Sequence, residues 1–119
     1  MPLHITHDRR GGHPVLVIDG ELDLLTAPQL TSEAVGIVNA GAHDVILDAR
    51  ALTFCDSSGL TAFVRIANSL ETQSGRLAIA GPSPIVRRVL EVSGLDEAFV
   101  VVSDVDDAVA TLDADRAAS

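Results

Sequence analysis

The chain has 119 residues, 47% of them hydrophobic, and a formal net charge of −9 with a pI near 4.6. That length and composition fit one globular domain with a single core, and no apolar run approaches the roughly 20 residues a membrane span needs. All eight basic residues are arginine in a strongly acidic chain, so no basic stripe exists to replace the counterions of nucleic acid or to meet an anionic membrane surface.

Taken in chain order, a short strand is expected near Leu3–Thr6. The polar turn Asp8-Arg9-Arg10-Gly11-Gly12 follows, then a second strand over Val15–Ile18. So short a turn predicts an antiparallel hairpin. Gly20–Leu25 leads to Thr26, a candidate helix cap, with Pro28 tolerable in the first turn. Leu30, Ala34, Ile37 and Val38 recur at helical spacing, and Gly41 stands past the end.

A buried strand over Val45–Ala49 runs into the turn Asp56-Ser57-Ser58-Gly59 and a helix with Leu60, Phe63, Val64 and Ala67 on one face. Leu77–Ala80 is a further buried strand. Ser83-Pro84 starts a helix with Val86, Val89 and Leu90 inward and Gly94 closing it. Ala98–Val102 reads as the last strand. Ser103 with Asp106 resembles a capping box before a helix bearing Val105, Ala108, Val109 and Leu112. The tail 113–119 is expected to fray. The order β-β-α-β-α-β-α-β-α predicts an α/β fold. Its sheet is mixed and mostly parallel, with an N-terminal antiparallel hairpin and about four helices, in one domain over 1–119.

Chemistry concentrates in the Asp56-Ser57-Ser58-Gly59 turn. Backbone N–H groups at a helix start favour negative charge, so a serine there can be a cap, a nucleophile or a phosphate acceptor. Capping needs one residue, and three polar side chains crowd the turn. A hydrolase elbow requires Gly-x-Ser-x-Gly, and Cys55 occupies the first glycine position. His4, His7 and His13 belong to the hairpin, and His43 precedes a strand at the opposite edge, so no general base is expected near Ser57. The same histidines lack metal-ligand spacing, and without lysine there is no phosphate-binding loop of the Gly-Lys-Ser type. Cys55 reads as a small buried residue. The lone cysteine suits a reducing cytosol, and no secretory signal is visible at the N-terminus. Asp23, after the second strand, forms a second acidic turn.

Three ordered motifs together resemble the STAS family, specifically the freestanding bacterial anti-sigma factor antagonists. They are Gly20-Glu21-Leu22-Asp23, then Phe54-x-Asp56-Ser57-Ser58-Gly59-Leu60, then Ser83-Pro84 with Val86, Val89, Leu90 and Ser93-Gly94-Leu95. The resemblance covers nearly the whole chain. It implies a cytoplasmic regulatory protein without catalytic residues, metal or cofactor. Its partners would be an anti-sigma factor that is also a GHKL-type serine kinase, and a PP2C-type phosphatase. Binding the kinase would release a sigma factor; phosphorylation at Ser57 would block binding, and the phosphatase would restore it. Asp23, Asp56, Ser57, Ser58, Gly59 and Thr61 would form the partner-binding surface, with Ser58 serving the turn or cap and Gly59 allowing close backbone approach. Thr61 stands where the best-known members have glycine. Other readings on the same fold are a STAS subunit of a lipid-transport ABC complex and a scaffold of a stress-signalling assembly. A small serine hydrolase is the reading from a different class.

Overall fold

The computed structural model describes residues 2–118. A β-hairpin opens the chain: β1 (His4–Arg10) and β2 (His13–Leu22) pair antiparallel from His4 opposite Asp19 to Arg10 opposite His13. The turn is Gly11-Gly12 alone, with φ of 59° and 84° at the two residues. Positive φ at both central positions matches the right-handed twist of the strands, which is why glycine stands at each. The strands therefore extend further into the Asp8–Gly12 segment than its polar composition suggests.

Helix α1 (Ala27–Asn39) follows, then β3 (Val45–Asp48) and β4 (Leu52–Cys55). Helix α2 spans Ser57–Glu71, β5 Leu77–Ala80 and α3 Pro84–Ser93. A single 3-10 turn, Leu95–Glu97, precedes β6 (Val100–Val102) and α4 (Val105–Ala118). The sheet order is β1-β2-β3-β5-β6, with β4 beside β2. All pairings after the hairpin are parallel. This is the expected mixed α/β sheet with four helices.

Strand β4 departs from expectation, since its residues read as part of the turn. Its partner explains it. Val15–Val17 of β2 pair with Ile46–Asp48, and Gly20–Leu22 pair with Leu52–Cys55 after a shift in register between Gly20 and Glu21. One long strand thus carries two short ones end to end. Only a tertiary pairing makes Leu52–Cys55 a strand, so local sequence does not announce it.

Alternate side chains of the central strands face two separate cores. Leu16, Ile18, Leu47 and Ile79 pack under α1, α2 and α3 with Leu30, Phe63, Ile66 and Leu90. Phe63 meets Phe99 edge to face, with ring centroids 6.1 Å apart. Val15, Ile46, Ala78 and Val100 pack under α4 with Ala108 and Leu112.

One expectation for the C-terminal helix is corrected. Its start is capped by Asp104, whose Oδ1 accepts the Asp107 amide at 2.7 Å, while Asp106 pairs with Arg10. Helix α4 runs to Ala118. Asp113 bonds His13, Asp115 bonds Arg76 and Arg116 bonds the buried Asp44, and these contacts hold the last turns. Ser119 lies outside the described residues.

Candidate functional site

The two acidic turns found in the sequence are neighbours. Leu22 of β2 pairs with Cys55 of β4, and the chain leaves each strand directly into Asp23 and Asp56. The Asp56 amide donates to the Leu22 carbonyl at 3.2 Å, which fixes one turn against the other. Both lie at the carboxyl ends of parallel strands, the edge where open α/β sheets meet ligands and partners.

Asp23 shapes the first turn. Its Oδ1 accepts the Leu25 amide at 2.9 Å and the Thr26 amide at 3.0 Å. Thr26 is not the side-chain cap its position suggested. Its Oγ1 accepts the Asp23 amide at 2.9 Å and donates to the Glu21 carbonyl at 2.8 Å, closing the loop on itself. The Thr26 amide is the main cause that holds the Asp23 carboxyl below the usual carboxylate range, against a smaller opposing effect of burial. So tight a turn leaves no room inward for its next two side chains. Leu24 and Leu25 point outward at 74% and 87% exposure.

Asp56 shapes the second turn. It is the N-cap of α2, and its Oδ1 accepts the Ser58 amide at 2.8 Å and the Gly59 amide at 3.2 Å. Ser58 is therefore not the cap. Ser57 is the first helical residue and exposed; Ser58 is half-buried. Neither hydroxyl bonds another described residue. The surplus of hydroxyls over caps thus resolves to one aspartate that caps and two serines that do not.

Gly59 faces inward. A Cβ there would lie 2.6 Å from Cys55 Sγ and 2.9 Å from Leu22 Cδ2, so glycine lets α2 press onto the ends of β2 and β4. This close approach sets how the first turn of α2, with Ser57, sits on the strand ends. Thr61 is exposed, and its Oγ1 donates to the Ser57 carbonyl at 3.0 Å, bracing the first turn. Cys55 is buried, and burial, with Asp56 adding to it, pushes its thiol up to about 12. A thiol so protonated is a packing group.

The histidines lie elsewhere. His7 bonds Glu33 and His13 bonds Asp113. Among the described residues no cluster of His, Cys, Asp or Glu is suited to a metal ion, and no helix is long and apolar enough to cross a membrane. Sequence reasoning did not single out Leu24 and Leu25, and quoted Phe54 only as part of the motif; all three are large, apolar and exposed around the two turns. Two adjacent leucines in a polar turn were the available signal for the first pair.

Known proteins share this architecture. The anti-sigma-B factor antagonist of Staphylococcus epidermidis is 32% identical over 93 residues, which span 78% of this chain and 83% of that one. An anti-sigma factor antagonist from Mycobacterium paratuberculosis superposes with a TM-score of 0.84 at 25% identity, covering 92% of this chain and 93% of its own. The Bacillus cell fate determinant SpoIIAA, solved in its phosphorylated form, superposes with a TM-score of 0.70 at 25% identity, covering 91% and 98%. The STAS domain profile matches residues 4–108, and the chain belongs to the STAS domain family.

Proposed function

We propose that this protein is an anti-sigma factor antagonist whose partner binding is switched by phosphorylation of Ser57. The observation that carries the reading is the exposed Ser57 hydroxyl, left without an internal partner because Asp56 takes the cap. An exposed hydroxyl on a rigid helix start is open to a kinase. Relatives named as anti-sigma factor antagonists, and a phosphorylated neighbour of the same fold, support it.

The local electrostatics give the switch its sign. A phosphate adds about −1.5 to −2 charge and is usually welcome at a helix N-terminus. Here the Ser58 and Gly59 amides are already occupied by the Asp56 carboxylate. A phosphate on Ser57 would face solvent beside that carboxylate, in a chain of net charge −9. It would therefore act on whatever docks there by bulk and like-charge repulsion, leaving the fold in place. Differential affinity of a few kcal/mol is enough to shift such an equilibrium substantially.

On this reading the partner is an anti-sigma factor that is also a serine kinase of the GHKL type, and a PP2C-type phosphatase resets the switch in the cytoplasm. The protein is a ligand and a substrate, not an enzyme. Asp23, Asp56 and Gly59 build the surface, while Ser57, Ser58 and Thr61 present it. The test incubates wild type, Ser57→Ala and Ser58→Ala with ATP and kinases of this class from the same genome, followed by intact mass. One phosphate on wild type and Ser58→Ala, absent from Ser57→Ala, is expected. A phosphate that persists on Ser57→Ala, or no modification and no binding by any such kinase, overturns it.

A further inference from the structure

The space between α1 and α2 forms an open groove of about 430 Å³ that begins at the Ser57 turn. Its floor is made of small side chains, Ala27 and Ala62, both buried. Leu24, Pro28, Ser58 and Thr61 also line it. The lining is mostly apolar, and Leu24 at 74% exposure is an uncovered side chain at its mouth. A contiguous apolar groove rimmed by polar side chains, rather than any single exposed leucine, is what marks an interaction surface.

Charge selects the occupant. Arg65 is the sole ionisable residue lining the groove. Arg10, Arg50, Arg76 and Arg116 pair with carboxylates of this chain, Arg9 donates to the Gly12 carbonyl, and Arg87 and Arg88, without a carboxylate partner, lie on α3 away from the groove. The Arg65 side chain makes neither a hydrogen bond nor an ion pair with any described residue. In a chain with about twice as many acids as bases, a cation left without a carboxylate beside an apolar groove is a complementary feature with its partner missing. Asp23 and Asp56, at the other end, already accept backbone amides.

We propose that the α1–α2 groove, from Leu24 to Arg65, docks a segment of a protein partner that presents an apolar side chain followed by a carboxylate. The apolar group enters over Ala27 and Ala62, and the carboxylate reaches the Arg65 guanidinium. The inference rests on reading the Ser57 turn as a partner-binding surface. It also names what that switch would act on. A phosphate on Ser57, one residue from Ser58, repels the same acidic segment that Arg65 attracts.

The test uses two blocked helical peptides. One carries two leucines a turn apart flanked by glutamates; the other has lysines in place of the glutamates. Each is titrated into isotope-labelled protein while amide shifts are followed. The glutamate peptide is expected to give saturable shifts at Leu24, Thr31, Ser58, Thr61 and Arg65, and the lysine peptide none. Arg65→Glu, an exposed substitution whose fold is checked by its own spectrum, should weaken the first peptide about tenfold and let the second bind. Equal binding of both peptides, no binding, or shifts centred elsewhere overturns the proposal. Concentration-dependent shifts of the same residues without peptide would make a second copy of the chain the occupant, and would also overturn it. None of these outcomes bears on whether a kinase places phosphate on Ser57, so the two readings fail separately.

Discussion

The amide of Asp56 donates to the carbonyl of Leu22, and this one bond ties the start of α2 to the end of β2. Because Leu22 also pairs with Cys55, the two acidic turns are set by strand register and not by long, flexible side chains. A surface that must present one hydroxyl reproducibly is better built on such a frame than on a loop.

The cap by Asp56 separates structure from charge. Asp56→Ala strands the Ser58 and Gly59 amides and should destabilise the domain by about 1 kcal/mol, within the range for lost caps of roughly 0.5–2. Asp56→Asn keeps a good capping oxygen and should stay within a few tenths of wild type. Urea unfolding of the three proteins checks this. If Asn costs as much as Ala, the carboxylate charge and not the cap geometry stabilises the turn.

Gly59 tests the packing that sets the height of Ser57. An alanine gains about 1 kcal/mol of helix propensity over glycine. Its Cβ would nonetheless meet Cys55 Sγ at 2.6 Å, and overpacking of this kind costs about 1–3 kcal/mol. Gly59→Ala is therefore expected to destabilise, by up to about 2 kcal/mol net. Adding Cys55→Ala removes the nearer obstacle and should recover part of the loss, leaving the Leu22 contact at 2.9 Å. Full additivity of the two substitutions in thermal unfolding would contradict a direct clash.

Much of this was legible in the sequence because the signals were local. The hairpin, the four helices and the parallel core strands follow from period-2 and helical patterns around Val15–Ile18, Leu30–Val38 and Leu77–Ala80. The motif Asp56-Ser57-Ser58-Gly59 marked the candidate site. What was not legible depends on distant partners. Strand β4 exists because β2 runs past β3 to pair with it. Which residue caps α2 depends on rotamers, and Asp56, Ser57 and Ser58 are equally good caps by type. The inward role of Gly59 needs Leu22, far away in sequence.

The Asp48–Arg50 pair gives a pH dependence of definite sign. Asp48 is buried at 3% exposure, and Arg50 grips it with Nε at 3.0 Å, Nη2 at 2.8 Å and its own amide at 3.2 Å. Burial alone pushes the Asp48 carboxyl up, and the Arg50 bonds together outweigh it, so the net direction is down. A carboxyl lowered on folding stabilises above its unfolded value of about 3.9, and that stability is lost as pH falls through the folded value. In Arg50→Gln burial acts with most of its opposition gone, and the folded value rises above the unfolded one. The variant should then be least stable relative to wild type at neutral pH, with the gap closing as pH falls from the variant's raised folded value to the lowered one of wild type. Urea midpoints measured from pH 3 to 7 check it, and a gap that widens toward acid reverses the assignment.

The end of α4 supplies the last prediction, because its contacts decide whether the tail matters to the fold. A frayed tail could be removed at no cost. In the structure, deleting residues 113–119 removes Asp113 from His13, Asp115 from Arg76 and Arg116 from Asp44. The exposed Arg76–Asp115 pair is worth at most about 1 kcal/mol. Asp44 differs, since it is 4% exposed and would keep only the Arg76 amide at 2.8 Å and His13 at 3.9 Å. Leu112, 2% exposed, would also lose the helical turn after it. Together these losses are expected to cost about 1–3 kcal/mol, with the half-exposed Arg116 keeping the figure below that of a fully buried pair. The chain ending at Leu112 should melt several degrees lower than the full one. Asp44→Asn in the full chain should reproduce part of the loss, because a neutral amide holds Arg116 more weakly. High salt should narrow the difference between the full and shortened chains, since screening weakens partly exposed pairs that only the full chain possesses. An unchanged melting temperature on truncation would mean that Ala108 and Leu112 alone dock α4, and that the ionic contacts beyond them add nothing.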